Sequence, residues 1–384
     1  MENKIIISGV VEQVTENIVP LKRNKSKVHA GIDAGNGYFK YFFQEIRGEE
    51  SKTQKGFFES VLDIDATKNT GDIGDSDVVF INGHACKINS GKRVGERDEA
   101  FTKQNEYTRA NFYFSLLRIY LQTMENGEEY INDFYVSLGT TTDIFRDDEE
   151  REEYKQYMLG NIDYDMYGDE PLNGKITFRY WNKKRQDYSN ATINIKELMV
   201  QAEGTASLMD LDTKENEFDF DKKTIILDLG TQTLHAIPYI KRTAIYSNTE
   251  PNRKGGYIEL IRMLQRPLSK KALTQFSYQE AEVEFKRRND KEFKAEIDKA
   301  VEKYIKEVVV AGLEEVNTQF GRDQIVVTGG TSVAIRSDLE KYFAKNYKTK
   351  LMFVRDGFYA TAKGLLVILN RELKKKNEME RAVR

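Results

Sequence analysis

Two aspartates in this chain end apolar runs and open turns of the same make-up. Val28–Phe43 reads VHAGIDAGNGYFKYFF, and Ile225–Ile240 reads IILDLGTQTLHAIPYI. In each, an apolar strand ends in Asp-x-Gly, a small polar turn follows, and a second strand returns. Asp33 and Gly35 match Asp228 and Gly230, and Lys40 and His235 both stand seven residues after their aspartate. Turns of this kind, here Gly35, Asn36, Gly37 and Tyr38 and then Gly230, Thr231, Gln232 and Thr233, expose backbone N–H groups that no ladder uses and so bind anions. A carboxylate beside a phosphate is repulsive unless a divalent cation lies between them. Mg²⁺ keeps several waters and is shared among a few carboxylates and phosphates. Asp33 and Asp228 therefore read as an outer cradle for hydrated Mg²⁺ on a nucleotide, with Lys40 neutralising phosphate charge. One such hairpin is what any turn looks like. Two at matching offsets, about 195 residues apart, point to a duplicated unit.

A third loop follows. Ile325–Thr331 reads IVVTGGT, a buried strand ending in Gly329-Gly330 before a helix from Ser332. Paired glycines there let a flat ring or ribose approach the backbone. Neither G-x-x-x-x-G-K-[ST] nor a post-strand G-x-G-x-x-G occurs, which removes the two commonest nucleotide signatures.

The elements that must hold these loops can be read from periodicity. Strands are expected at Ile5–Val11, Val28–Asp33, Val78–Ile88 (a pair), Phe134–Leu138, Ile176–Trp181, Ala191–Val200, Gln324–Thr328 and Leu351–Val354, with a strand meander over Thr224–Ser247. Helices are expected at Gln104–Met124, where apolar residues recur at helical spacing, and at Asp147–Leu159, Ala202–Asp210, Gly255–Leu264, Ser277–Asn317 (broken near Asp290) and Phe358–Leu373. Asp63–Asp77 reads as loop, and the acidic Leu211–Lys223 as a boundary.

The 384 residues are ample for two domains. Fifty-nine Lys and Arg against 62 Asp and Glu leave a net charge of −3, which argues against a general electrostatic grip on DNA or acidic lipid. The single cysteine, Cys86, excludes an internal disulfide and fits a reducing cytoplasm. Met1–Pro20 lacks the pattern of a signal peptide, and no apolar run approaches membrane-spanning length. His84 and Cys86 have no second ligand pair for zinc. Lys374–Lys376 reads as a solvated helix end.

With its three loops in this order, the chain resembles the actin, Hsp70 and sugar-kinase superfamily, and within it bacterial actin-like proteins of the ParM type, which segregate plasmids. Residues 33–40 (DAGNGYFK) resemble the first phosphate loop, 228–235 (DLGTQTLH) the second, 327–331 (VTGGT) the adenosine loop, and 356–365 (DGFYATAKGL) the final helix that returns to the first domain. The resemblance implies an α/β, actin-like fold: two RNase-H-like domains with mixed five-stranded sheets and flanking helices around a nucleotide cleft. It divides the chain into an N-terminal extension (1–27), domain I (28–210, with the helix at about 357–384 returning to it) and domain II (211–356).

The same resemblance implies an Mg-dependent ATPase that binds ATP and ADP, with GTP left open, and that forms head-to-tail filaments. A DNA-binding adaptor protein would couple the filament to a plasmid, without direct DNA or membrane contact. Asp33 and Asp228 would hold the metal through water; Gly329, Gly330 and Thr331 would border the nucleoside, with Tyr257 and Glu284–Arg288 near the base. ParM-type proteins usually carry aspartate where this chain has His235, as actin does. His235 and Glu203 are the residues implied for the attacking water, with Gln201 as the alternative to Glu203. A same-fold small-molecule kinase, a chaperone-like ATPase and a membrane-associated cell-shape actin are the rival readings.

Overall fold

The computed structural model describes residues 26–60, 62–64, 78–88, 103–123, 131–241, 243–245, 254–289 and 292–383. The strand expected at Ile5–Val11 and most of the Asp63–Asp77 loop lie outside them.

Among the described residues eight strands build the first sheet: β1 (Lys27–Ala34), β2 (Tyr38–Arg47), β3 (Glu50–Glu59), β4 (Val78–Ile81), β5 (His84–Lys87), β6 (Asp133–Thr140), β7 (Lys175–Asn182) and β8 (Asp187–Ala202), in the order β3-β2-β1-β6-β8-β7-β4-β5. Five build the second: β9 (Thr224–Leu229), β10 (Leu234–Ile240), β11 (Thr243–Ala244), β12 (Gln324–Thr328) and β13 (Leu351–Phe353), in the order β11-β10-β9-β12-β13. The two share one plan. β1 is antiparallel to β2 and parallel to β6, as β9 is antiparallel to β10 and parallel to β12. β8 then joins β6 in parallel, as β13 joins β12.

The α/β fold class stands, but the first sheet has eight strands where five were expected. The cause is the length of β8. Its second half pairs with β6, while its first half runs on and takes β7 antiparallel from Asp187↔Asn182 to Asn194↔Lys175. The β4–β5 hairpin then adds to β7.

The helices are α1 (Glu106–Gln122), α2 (Thr142–Arg146), α3 (Asp148–Met158), α4 (Glu203–Ala206), α5 (Tyr257–Ala272), α6 (Tyr278–Lys286), α7 (Lys294–Tyr304), α8 (Ala311–Glu315), α9 (Gly330–Ala334), α10 (Arg336–Tyr347) and α11 (Ala360–Val383). α5 runs past the expected end at Leu264 and through Pro267. Its buried stripe, Leu260, Ile261, Leu264 and Leu268, spans the proline, and that packing outweighs the lost N–H.

β1 is buried from Val28 to Ala34 because both faces are covered. α1 lies on one side with Phe112, Leu116 and Leu117 buried. α11 lies on the other, with Leu366, Leu369 and Leu373 against Phe42, Tyr135 and Met199. Two glycines permit the close packing of α11, Gly31 in β1 against it and Gly364 within it against α4. A β-carbon at Gly31 would stand 2.1 Å from the Ala362 carbonyl oxygen, and one at Gly364 would stand 1.8 Å from that of Ala206.

The chain passes from the first sheet to the second after β8 and returns after β13. Asp210 ties the two passages together. Its buried carboxylate accepts the Lys363 ammonium and, at 2.8 Å, the Asp356 N–H, while its carbonyl accepts the Arg355 N–H at 3.2 Å.

Candidate functional site

The parallel strands of each sheet end at one cleft. β1 delivers Asp33 and β9 delivers Asp228, each at the last turn of a strand whose hairpin partner returns directly opposite. In the ladders Asp33 faces Lys40, and Asp228 faces His235. The sequence offset of seven is thus a cross-strand pair, made twice. Lys40 donates to Asp33 Oδ2 at 2.8 Å.

The two turns touch. Asn36 Nδ2 donates to Gln232 Oε1 at 2.7 Å. Gly37 lies so close to Thr231 that a β-carbon there would be 2.6 Å from its hydroxyl. The third loop joins through Thr331, whose hydroxyl donates to the Gly230 carbonyl at 2.6 Å. Gly329 sits at φ 89° and its β-carbon would meet the Leu229 carbonyl at 2.3 Å and Asp228 Oδ1 at 2.5 Å, so this position admits glycine alone.

Between the loops is a cavity of about 270 Å³. Asp33, Gly35, Asn36, Tyr38, Lys40, Glu203, Asp228, Gly230, Thr231, Gln232, Thr233, His235, Gly329, Gly330 and Thr331 all line it. Of the residues singled out from sequence, Gly37 stands behind the wall, against Thr231. Gln201 points elsewhere: it lines a separate groove with α3 residues and Lys376. β8 ends at Ala202, and Glu203, the first residue of α4, enters the cleft. Near the expected base position the lining residues are Tyr257, Glu282 and Lys286. Arg288, placed there from sequence, instead holds Asp338 through two bonds of 2.9 Å.

The charge in this space is crowded. Burial raises the Asp228 carboxyl to about 7, and Asp33 and Glu203 push the same way against Lys40 and Lys103. Burial also raises Glu203, opposed by Lys103. Burial works against the Lys40 ammonium, but Asp33, Asp228 and Glu203 outweigh it and its pKa is raised. Burial, helped by Lys103, lowers His235 to about 4, so its ring is neutral at pH 7. Its Nδ1 is buried without a hydrogen-bond partner among the described residues.

This architecture has close counterparts among solved structures. The apo psk41 ParM protein superposes with a TM-score of 0.60 at 17% identity, over 92% of this chain and 99% of that one. The chain has the actin fold. A Bacillus thuringiensis ParM with ATP matches at 0.60 and 14% identity, and a 15-stranded ParM filament from Clostridium botulinum at 0.57 and 13%, each over 90% of this chain and 99% of the other. No family model and no curated protein matches the chain.

Three lining residues of this actin fold fall in no sequence motif: Lys103, Thr141 and Glu282. Lys103 is 4% exposed and donates to Glu203 Oε1. Phe358 packs edge-on against Tyr38 and lies under the Lys40 ammonium at 5.0 Å. Phe358 falls within the 356–365 stretch, whose resemblance concerned the helix rather than the cleft. Lys103 precedes the Asn105 cap of α1, where a lysine in sequence looks like any solvated residue.

Proposed function

We propose that the protein is a filament-forming actin-like ATPase whose nucleotide-dependent polymerisation moves plasmid DNA. One observation carries the reading. Two symmetry-matched carboxylates, Lys40, Glu203 and His235 converge on a cavity bounded by three glycine-bearing loops. Phosphoryl transfer needs positioning and charge neutralisation, and this is what such an arrangement supplies.

In this reading the amides of residues 35–38 and 230–233 hold the phosphates, with Lys40 on the β- and γ-oxygens. Water attacks the γ-phosphorus in line as the bond to the β-phosphate oxygen breaks, and ADP leaves with that electron pair. Glu203 accepts the water's proton, a role that suits a carboxylate whose pKa burial raises. Neutral His235 orients the same water through Nδ1, which has no other partner among the described residues. Glycines 329 and 330 leave room for the nucleoside. The surplus of acid fits a divalent cation: with Asp33 beside it, Asp228 gains a proton near neutrality when nothing else neutralises it. Asp33 and Asp228 would hold Mg²⁺ through water, and the ion would neutralise the phosphates.

Subunits would add head-to-tail, since heterologous contacts give open filaments. The solved neighbours include a ParM filament. With a net charge of −3, contact with DNA would run through a DNA-binding adaptor protein. No described helix is long and apolar enough to cross a membrane, and the buried, solitary Cys86 suits the cytoplasm. High-speed sedimentation with ATP, ADP or no nucleotide, alongside phosphate release, tests the reading. Pelleting and turnover with ATP and Mg²⁺ are expected. ATP consumption that requires an added small-molecule acceptor, without pelleting, would instead establish a kinase.

A further inference from the structure

Lys103 is unexplained by the three loops. Lysine is almost never fully buried without a partner, and here the partner is Glu203, the carboxylate assigned to the water. Both line the cavity that also holds Lys40, Asp33, Asp228 and His235. The cavity thus contains two ion pairs, Lys40 with Asp33 and Lys103 with Glu203, and Asp228 has none among the described residues. While Lys103 holds Glu203, the carboxylate is a poor base, because its negative charge is already satisfied.

The two partners differ in freedom. Glu203 is fixed: it opens α4 and lies on Gly139, where a β-carbon would be 2.8 Å from its Cγ. Lys103 is a compact charge on a flexible four-carbon stem, rooted just before the Asn105 cap, whose side chain accepts the Thr108 N–H at 2.9 Å. A γ-phosphate carries more negative charge than one carboxylate and is the stronger competitor for a mobile ammonium.

We propose that Lys103 is a γ-phosphate ligand that changes partners: it neutralises Glu203 in the empty and ADP-bound cleft, and moves to the γ-oxygens when a triphosphate enters, freeing Glu203 to accept the water's proton. The inference rests on the ATPase reading and adds to it a way for the site to tell ATP from ADP. It also arms the base only when substrate is present.

The test compares unmodified protein with Lys103→Met, Lys103→Arg and Lys103→Met/Glu203→Gln, each checked for folding by thermal melt. Binding of Mg-ATP and Mg-ADP is measured by calorimetry, and turnover by phosphate release. Lys103→Met is expected to lose about tenfold in ATP affinity with ADP affinity unchanged, and about 100-fold in turnover. Lys103→Arg, which keeps the charge, should recover most of the ATP affinity. The double variant should keep the ATP-selective loss, because the missing contact is to phosphate and not to Glu203. Equal losses for ATP and ADP, or recovery of ATP affinity in the double variant, would overturn the exchange while leaving the ATPase reading intact. Unmodified protein that binds neither nucleotide would overturn both.

Discussion

Asp228 and His235 face each other across the β9–β10 ladder, and burial moves their proton affinities in opposite directions. The consequences for stability have opposite signs. His235, lowered to about 4, stays neutral in the fold while the unfolded chain takes up a proton below about 6.5. Stability from this group is therefore complete above that pH and is lost as pH falls toward 4. Replacing it by Gln should flatten the decline in urea midpoint between pH 7 and pH 5 by on the order of 1 to 2 kcal/mol. Asp228, raised to about 7, works the other way: the folded chain holds a proton that the unfolded chain has released, so its contribution falls as pH rises toward 7. Removing it should not harm the fold. Asp228→Ala is expected to keep or raise the melting temperature near neutral pH while phosphate release falls at least about 100-fold; full turnover in that variant would refute its role. That Asp33 and Asp228 would meet was legible in sequence because their turns repeat at matching offsets, and both line the one cavity. Lys103 was not, because its meaning comes from Glu203, 100 positions away, and no local pattern encodes that meeting.

Elements divide along the same line. β1, β9 and β12 are apolar runs walled on both faces and are plain in the sequence. β3 is nearly all exposed; it has no apolar alternation and is held by its ladder to β2, so periodicity is silent about it. The enlargement of the first sheet was hidden for a similar reason, since nothing local says that β8 outruns its partner. The helix that closes the first sheet depends on space rather than on propensity. Gly364→Val would force a side chain into the Ala206 carbonyl, 1.8 Å from the β-carbon position. The expected cost is about 2–3 kcal/mol, or failure to fold, read as a shift in the urea midpoint. Gly330→Ala, whose nearest neighbour is Phe358 at 3.7 Å, is the control and should cost under about 1 kcal/mol.

At the scale of the whole molecule, two sheets of one plan share a cleft, and the passages between them meet at Asp210. Asp210→Ala would strand the Lys363 ammonium and the Asp356 N–H. A loss of about 2–4 kcal/mol is expected, together with a larger radius of gyration by small-angle scattering without nucleotide. A stable variant of unchanged dimensions would show the crossing to be held by packing alone. The placement of that carboxylate has a mechanical corollary. A fastening at the axle of two plates hardly moves when they rotate, whereas their outer rims, such as β5 and β11, sweep the widest arcs. In the proposed filament, a phosphate gained or lost in the cleft would accordingly be broadcast to the far borders of the particle, where a neighbouring copy would feel it.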